Sequence, residues 1–472
     1  MSYVEHFEFS AVAKKRLILL IAAGAVLFLI GILGLSSGST LFDPSLEADH
    51  AHGAHTSVSR PKLLAEHNSS AHKEQASQEH SHTSHTIAHG SDDGNKEAVH
   101  HGYSWLTRVK MVLWHNNVYF IGVSLIGLFF YAIQFVSWAG WSALLKRVFI
   151  AQASFVPIAG GLLIIFYLFF NKDIFHWAHD GVMTPGSDTF DLLISKKSWY
   201  LGYSFVLIRT IIYIVGWCTF MYFLRKEAKL QDSTGDLLHH NKSINISAGF
   251  IVFFGVSSSM CAWDWIMSID THWFSTMFGW YVFASWFVSG IAIMTFLIIE
   301  LKAAGYLTKV NENHIHDLGK FMFAFSIFWM YIWFAQFILY WYSNIPEEVV
   351  WFTERMFFNK GNYAPMFIMN LVINFLFPFF FLMTRDAKRQ MVWLKIACVA
   401  IFIGHWFDTY LMVMPGVLKE HGGLNFGTFF LELGVVLMYV GGFGFVVLTN
   451  LAKLPLISKN DPMLEESINF HQ

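Results

Sequence analysis

The chain has 472 residues, of which 55% are hydrophobic, 18% aromatic and only 14% charged, with a formal net charge of -2. A soluble domain carries about 25% charged residues, so this composition excludes an ordinary water-soluble fold. The absence of a basic balance excludes a nucleic-acid partner.

A spanning helix needs about 20 mostly apolar residues. Ten such stretches run in order over roughly 17–36, 117–138, 149–170, 201–224, 245–268, 276–300, 318–343, 364–383, 391–414 and 427–450. They predict an all-α integral membrane protein. The 49 Phe and 18 Trp suit lipid-facing surface with aromatic belts. The first stretch is long and has no clean small-x-small site after it, so it reads as an anchor rather than a cleaved signal.

Residues 43–104 differ from the rest. "EADHAHGAHTSVSR" and "HSHTSHTIAHG" are rich in His, Ser and Ala and nearly free of aromatics. Such a segment buries too little apolar area to fold alone, so it predicts a flexible, solvated loop. His-rich tracts can also bind metal weakly.

Orientation follows from Lys and Arg in the short loops. One side collects about 18, among them Lys14, Lys146, Arg225, Lys302, Arg385 and Lys453. The other collects about 6: Lys172, Lys196, Lys197, Arg355, Lys360 and Lys419. The positive-inside rule then puts both termini in the cytoplasm. The two longer loops on the opposite side, 171–200 and 343–365, carry acids and histidines suited to contact with a soluble partner.

Four ionisable residues, Arg209, Asp264, His405 and Asp408, fall inside the apolar stretches. A charge at the bilayer centre costs at least roughly 2.5 kcal/mol, so it faces a partner or a water-filled path. His405 and Asp408 stand at i and i+3 and share a helix face. An imidazole beside a carboxylate suits proton exchange or a quinol site, and an interhelical hydrogen-bonded pair suits it as well. Asp264 lies among Trp263, Trp265 and Trp273, where desolvation favours a held proton; a hydrogen bond to an indole is the plainer alternative. Arg209 stays protonated and reads as the counter-charge of Asp264, Asp408 or Glu432. Asp270, His272 and Ser275 read as turn and interface residues. His314, His316, Asp317 and Lys320 suit a proton entrance or a plain helix start.

Redox ligands are not evident. Only His405 lies deep in an apolar run, which cannot give bis-His haem ligation. Cys218, Cys261 and Cys398 form no CxxC, CxxCH or zinc spacing and read as small buried residues. No metal site and no nucleotide loop is indicated.

The stretches "AWDWIMSIDTHWFSTMFGWYVFASWFVSGI" (262–291), "HIHDLGKFMFAFSIFWMYIWFAQFILYWYSNIPEE" (314–348) and "GHWFDTYLMVMPG" (404–416) resemble the NrfD-like (polysulfide reductase membrane-subunit) family, in particular the membrane subunits of alternative complex III, a bacterial quinol:cytochrome c oxidoreductase. The resemblance covers roughly 117 to the C-terminus. The short first helix with its His-rich insert resembles the smaller of the two such subunits. It implies two four-helix bundles, helices two to five (105–268) and six to nine (269–414). Residues 1–42 and 415–472 would hold a peripheral first and tenth helix. It also implies a bacterial inner-membrane location and a sister NrfD-like subunit. Periplasmic iron–sulfur and c-type haem subunits would take electrons from quinol, with no redox cofactor on this chain. His405, Asp408, Asp264 and Arg209 would then serve a proton path and a quinone pocket. A structural anchor of that complex and a secondary transporter are the competing expectations.

Overall fold

The computed structural model describes residues 5–36, 104–356, 363–419 and 426–471. The His-rich stretch read as a linker lies outside them, apart from Ser104, as does 357–362 in the second of the longer loops.

Among the described residues every regular element is helical. Ten helices are long and apolar enough to cross a membrane. They are α1 (Ala11–Ser36), α2 (Trp105–Val136), α3 (Lys146–Ile174), α4 (Tyr203–Thr234), α5 (Leu237–Trp265), α6 (Phe278–Ala303), α7 (Glu312–Ser343), α8 (Ala364–Phe381), α9 (Met391–Leu418) and α10 (Phe426–Leu451). The chain is an all-α, multi-pass integral membrane protein.

Several helices outrun their apolar windows. α2 begins at Trp105 rather than near 117, with Ser104 accepting from the Leu106 N–H at 3.2 Å. Arg108, His115, Asn116 and Asn117 end the apolar run in the sequence, yet all four are fully buried. Each of the four finds at least one partner inside the protein: Asn116 donates to the Val112 carbonyl and Asn117 to that of Ala159, both at 2.9 Å. A buried polar group so satisfied is tolerated, so the helix continues. α4 runs on to Thr234, where Gly235 takes the left-handed conformation at φ 71° and ends it. Asp236 then caps α5.

α2, α3, α4 and α5 pack as a closed ring of neighbours, and α6, α7, α8 and α9 as a second. α2 and α6 join the rings, with α5 against α6 and α9 against α2. α10 packs on α2 and α3, and α1 rides on α10.

The α1–α10 seam is built on glycine. Cβ atoms added at Gly24, Gly31 and Gly434 would lie 2.7 Å from the Gly434 carbonyl, 2.5 Å from the Leu431 nitrogen and 2.5 Å from the Phe28 nitrogen. Only bare backbones approach this closely, and in lipid such close packing drives helix association. Much of the rest of α1 is open, with Leu19, Val26 and Leu33 exposed.

One end of the molecule is tied together by the terminal segments. The Glu5 carbonyl accepts from the Leu456 N–H at 2.8 Å, and its carboxylate from the Leu307 N–H at 2.6 Å. Lys146 pairs with Asp461 at 2.7 Å. Ser467 donates to the Trp141 carbonyl at 2.6 Å and lies 3.2 Å from His314 Nε2. The tail thus braces both rings.

Gly31→Leu should force α1 from α10 at a cost of about 1–3 kcal/mol, the usual range for overpacking. Thermal unfolding of the full chain in detergent, together with loss of a disulfide engineered across the α1–α10 seam, checks this.

Candidate functional site: two buried carboxylates

The four buried ionisable residues form two separate pairs. Arg209, in the second turn of α4, meets Asp264, in the last turn of α5. Nε donates to Oδ2 at 3.0 Å and Nη2 to Oδ1 at 2.8 Å, a two-pronged ion pair. The third guanidinium nitrogen donates to the Tyr200 carbonyl at 3.1 Å. The Tyr200 ring lies 3.9 Å and the Phe205 ring 4.4 Å from the guanidinium carbon. Tyr213 adds a hydrogen bond to Asp264 at 3.3 Å. Planar guanidinium matched to carboxylate is strong, rigid recognition, and Asp264 leaves no surface exposed. The carboxylate therefore carries its counter-charge with it.

Asp408 lies deeper, in α9, and is handled differently. Its carboxylate accepts from the Tyr281 hydroxyl of α6, from Trp329 Nε1 of α7 at 2.8 Å and from Asn370 Nδ2 of α8 at 3.0 Å. Every helix of the second ring thus contributes to one cage. Among the described residues no Lys or Arg pairs with it; its ion-pair partner is His405, whose Nδ1 lies 3.6 Å from Oδ2. That nitrogen is also 3.2 Å from Ser285 Oγ, while Nε2 is buried without a hydrogen-bond partner. Both residues are fully enclosed.

Local sequence explains the cage. α8 contains a π-helical stretch, Val372–Leu376, beginning two residues after Asn370; such bulges recur at functional sites. Asn374 donates to Asn370 Oδ1 and fixes its amide. A side chain at Gly404 would collide with Asn374, so α9 needs glycine there. On α6, Tyr281, Ser285 and Ser289 recur every four residues and form one polar stripe. Ser289 in turn donates to the Ser285 carbonyl at 2.8 Å.

A third ionic cluster is one the sequence reading did not assemble. Arg108 of α2 lies 3.4 Å from Glu432 of α10 and donates to the Tyr410 hydroxyl at 2.9 Å. His115 Nε2 lies 3.1 Å from the Trp406 carbonyl. α9 therefore presents Asp408 and His405 to its own ring, and Trp406 and Tyr410 to α2. Arg108 and His115 fell before the expected start of their helix, and Glu432 alone gave no pattern.

The remaining candidates serve connection. Asn311 and His314 form a reciprocal capping box at the start of α7, and Lys320 pairs with Asp317 at 2.6 Å. Asp270 pairs with Arg355 at 3.0 Å, His272 with Asp191 at 2.8 Å, and Ser275 bonds Gln336 at 2.9 Å. Glu300 pairs with Lys395 near the surface. Among the described residues no group of three or more His, Cys, Asp or Glu is placed to hold a metal ion.

Two cavities open at the end opposite the terminal segments. One, about 210 Å³, is lined by Trp199, Tyr200, Trp263, Trp273 and Phe274 among others. The indole N–H groups of Trp263 and Trp273 are buried without hydrogen-bond partners, and the Tyr200 hydroxyl faces the Asp264 carboxylate. Burial pushes the Tyr200 phenol up, and the nearby Asp264 carboxylate pushes it the same way, so it stays a donor at neutral pH. The other cavity, about 420 Å³, is lined by His176, His179, Asp270, Trp273 and Trp351 among others. Burial, and then the neighbouring His179, push the His176 imidazole down, which keeps it neutral at neutral pH.

Arg209→Ala leaves Asp264 buried without its cation and should cost about 3–5 kcal/mol. The double change Arg209→Met with Asp264→Leu should recover most of that loss. Thermal unfolding of the three full-length variants checks the non-additivity.

No protein-family model and no curated protein matches this chain, so the chemistry of the two carboxylates rests on their own geometry.

Proposed function

We propose that this chain is a cofactor-free membrane subunit of a quinol-oxidising respiratory assembly, in which Asp408 and His405 exchange a proton. The observation that carries this is the Asp408 cage. It supplies three neutral donors and an imidazole, with no Lys or Arg pair among the described residues. An enclosed carboxylate without a fixed cation is neutralised by a proton, on itself or on a neighbouring imidazole. One proton shared between Asp408 and His405 gives a site that can take and release it. The stripe Tyr281, Ser285, Ser289 extends hydroxyls from that site along α6.

Arg209 and Asp264 suit the structural reading better, since a two-pronged pair neutralises itself. The 210 Å³ cavity beside them supports a quinone pocket. It is smaller than the roughly 300–1,000 Å³ of a drug-sized site, so it would take a head ring and leave the tail in lipid. Its two unpartnered indole N–H donors suit quinone carbonyls. On this reading both termini are cytoplasmic, the two cavities face the periplasm of a bacterial inner membrane, and the electrons pass to iron–sulfur and c-type haem subunits. A sister NrfD-like subunit completes the membrane part. The likeness of 262–291, 314–348 and 404–416 to that family is the support for these partners.

Asp408→Asn and His405→Ala, each in the intact assembly, should lower quinol:cytochrome c turnover on the order of a hundredfold, the scale of general acid–base catalysis. The amount of assembly should not change. Unaltered turnover and proton release in both variants would sink the proposal.

A further inference from the structure

We infer that Arg225 and Lys229 of α4 form a binding site for the phosphate of an anionic membrane phospholipid. The site lies toward the end of the molecule tied by the terminal segments, where Gln231 of α4 donates to the Asn460 carbonyl at 3.2 Å. The inference stands apart from the reading of Asp408.

The site begins where α4 changes character. Up to Phe223 the helix shows large apolar side chains to its surroundings, among them Ile208, Ile212, Val215, Tyr222 and Phe223. The next exposed residues are Lys226 and Lys229. Aromatic rings followed by cations mark the level at which hydrocarbon gives way to headgroups. Arg225 sits at that level. It lies sixteen residues beyond Arg209, about 24 Å along the helix axis, against a hydrocarbon core of roughly 30 Å.

Arg225 is anchored by one edge. Its Nη2 donates to the Ile150 carbonyl at 2.9 Å and to the Ser154 hydroxyl, both on α3 where that helix tightens into a 3-10 turn at Ala153–Phe155. Nε and Nη1 have no hydrogen-bond partner among the described residues, and the side chain is only part-buried. A guanidinium held in this way presents a planar pair of donors, the geometry that matches phosphate oxygens.

The charge is also unmet. Arg108, Arg147, Arg209 and Arg355 each pair with a carboxylate. Among the described residues Arg225 pairs with none, because the two acids that follow it on α4 are engaged elsewhere: Glu227 lies 2.6 Å from His239 of α5, and Asp232 accepts from Arg147 and Ser458. Lys229 stands four residues on from Arg225 and so on the same face. It is exposed and likewise pairs with no acid among the described residues.

Two cations without an acid, at headgroup level on one helix face, call for a net-negative ligand. Basic sites between membrane helices take such lipid headgroups. The Arg225 donors meet the phosphate oxygens and Lys229 adds the second charge, with acyl chains along the apolar surface that Tyr222 and Ile158 expose. A phosphatidylcholine headgroup carries its own cation and would leave one of the two charges unmet.

The test uses the full chain in detergent, with bound lipid measured by native mass spectrometry. Phosphatidylglycerol should bind about fivefold more tightly than phosphatidylcholine, the scale set by one basic residue at a membrane surface. Arg225→Gln and Lys229→Gln should each remove most of that preference and leave phosphatidylcholine binding unchanged. Lys229→Gln serves if Arg225→Gln fails to fold, because Lys229 is exposed. Inorganic phosphate in excess should not displace the lipid, since it lacks the acyl contacts. Equal binding of the two lipids, or an unchanged preference in either folded variant, overturns the site. Displacement by inorganic phosphate makes it a free-anion site and overturns the lipid. The chain purified within its complex from its own membranes should carry more phosphatidylglycerol than the Lys229→Gln chain prepared in the same way. Equal amounts would mean that a neighbouring subunit covers this face, and the proposal falls.

Discussion

Inside a membrane, a carboxylate has to meet a cation, a proton or a full set of donors before it can be buried. The three ionic clusters of this protein are three answers to that constraint, and much of the packing serves them. Asp264 has a matched guanidinium and lies one turn from a helix end. Glu432 has Arg108 on a neighbouring helix, at the looser separation of 3.4 Å. Asp408 has a cage of neutral donors and an imidazole. The first is neutralised by its own guanidinium, while the last has no Lys or Arg pair among the described residues.

That difference, rather than burial, supports the proposed division between bracing and proton exchange, because all three carboxylates are almost wholly enclosed. Breaking a matched buried pair destabilises the fold, so Arg209 and Asp264 lock α4 to α5. On the proposed reading, a cage without a cation pair stabilises less but leaves the carboxylate able to change its charge. The second ring devotes one side chain from each of α6, α7 and α8 to this purpose, together with a π-bulge and a glycine contact.

Much of this was legible in the sequence, and the illegible part has physical causes. Ten apolar stretches gave ten helices, because lipid demands internally bonded backbone. Arg209, Asp264, His405 and Asp408 stood out because they interrupt apolar runs. Which charge meets which depends on helix rotation and crossing, which no single stretch encodes. Arg108 and His115 were placed outside or at the start of a span, because a hydropathy window stops where polar residues begin, while packing against α9 and α10 lets the helix continue. Tyr281, Trp329 and Asn370 carried no signal at all: each is unremarkable in a membrane helix until its neighbours are known. Asp270 and Arg355 read as loop residues, since the Leu411 carbonyl that Arg355 bonds lies more than fifty residues along the chain.

α9 carries a further consequence. Its main-chain carbonyls are gripped from outside at three levels: Phe402 by the Tyr119 hydroxyl at 2.6 Å, Trp406 by His115 at 3.1 Å and Leu411 by Arg355 at 2.8 Å. Three such grips oppose sliding and turning of the helix. If Asp408 exchanges a proton as proposed, the site then answers through side-chain rotation and proton position rather than through movement of the backbone. In that case the frame that fixes the helix also keeps the rearrangement that accompanies each protonation change small.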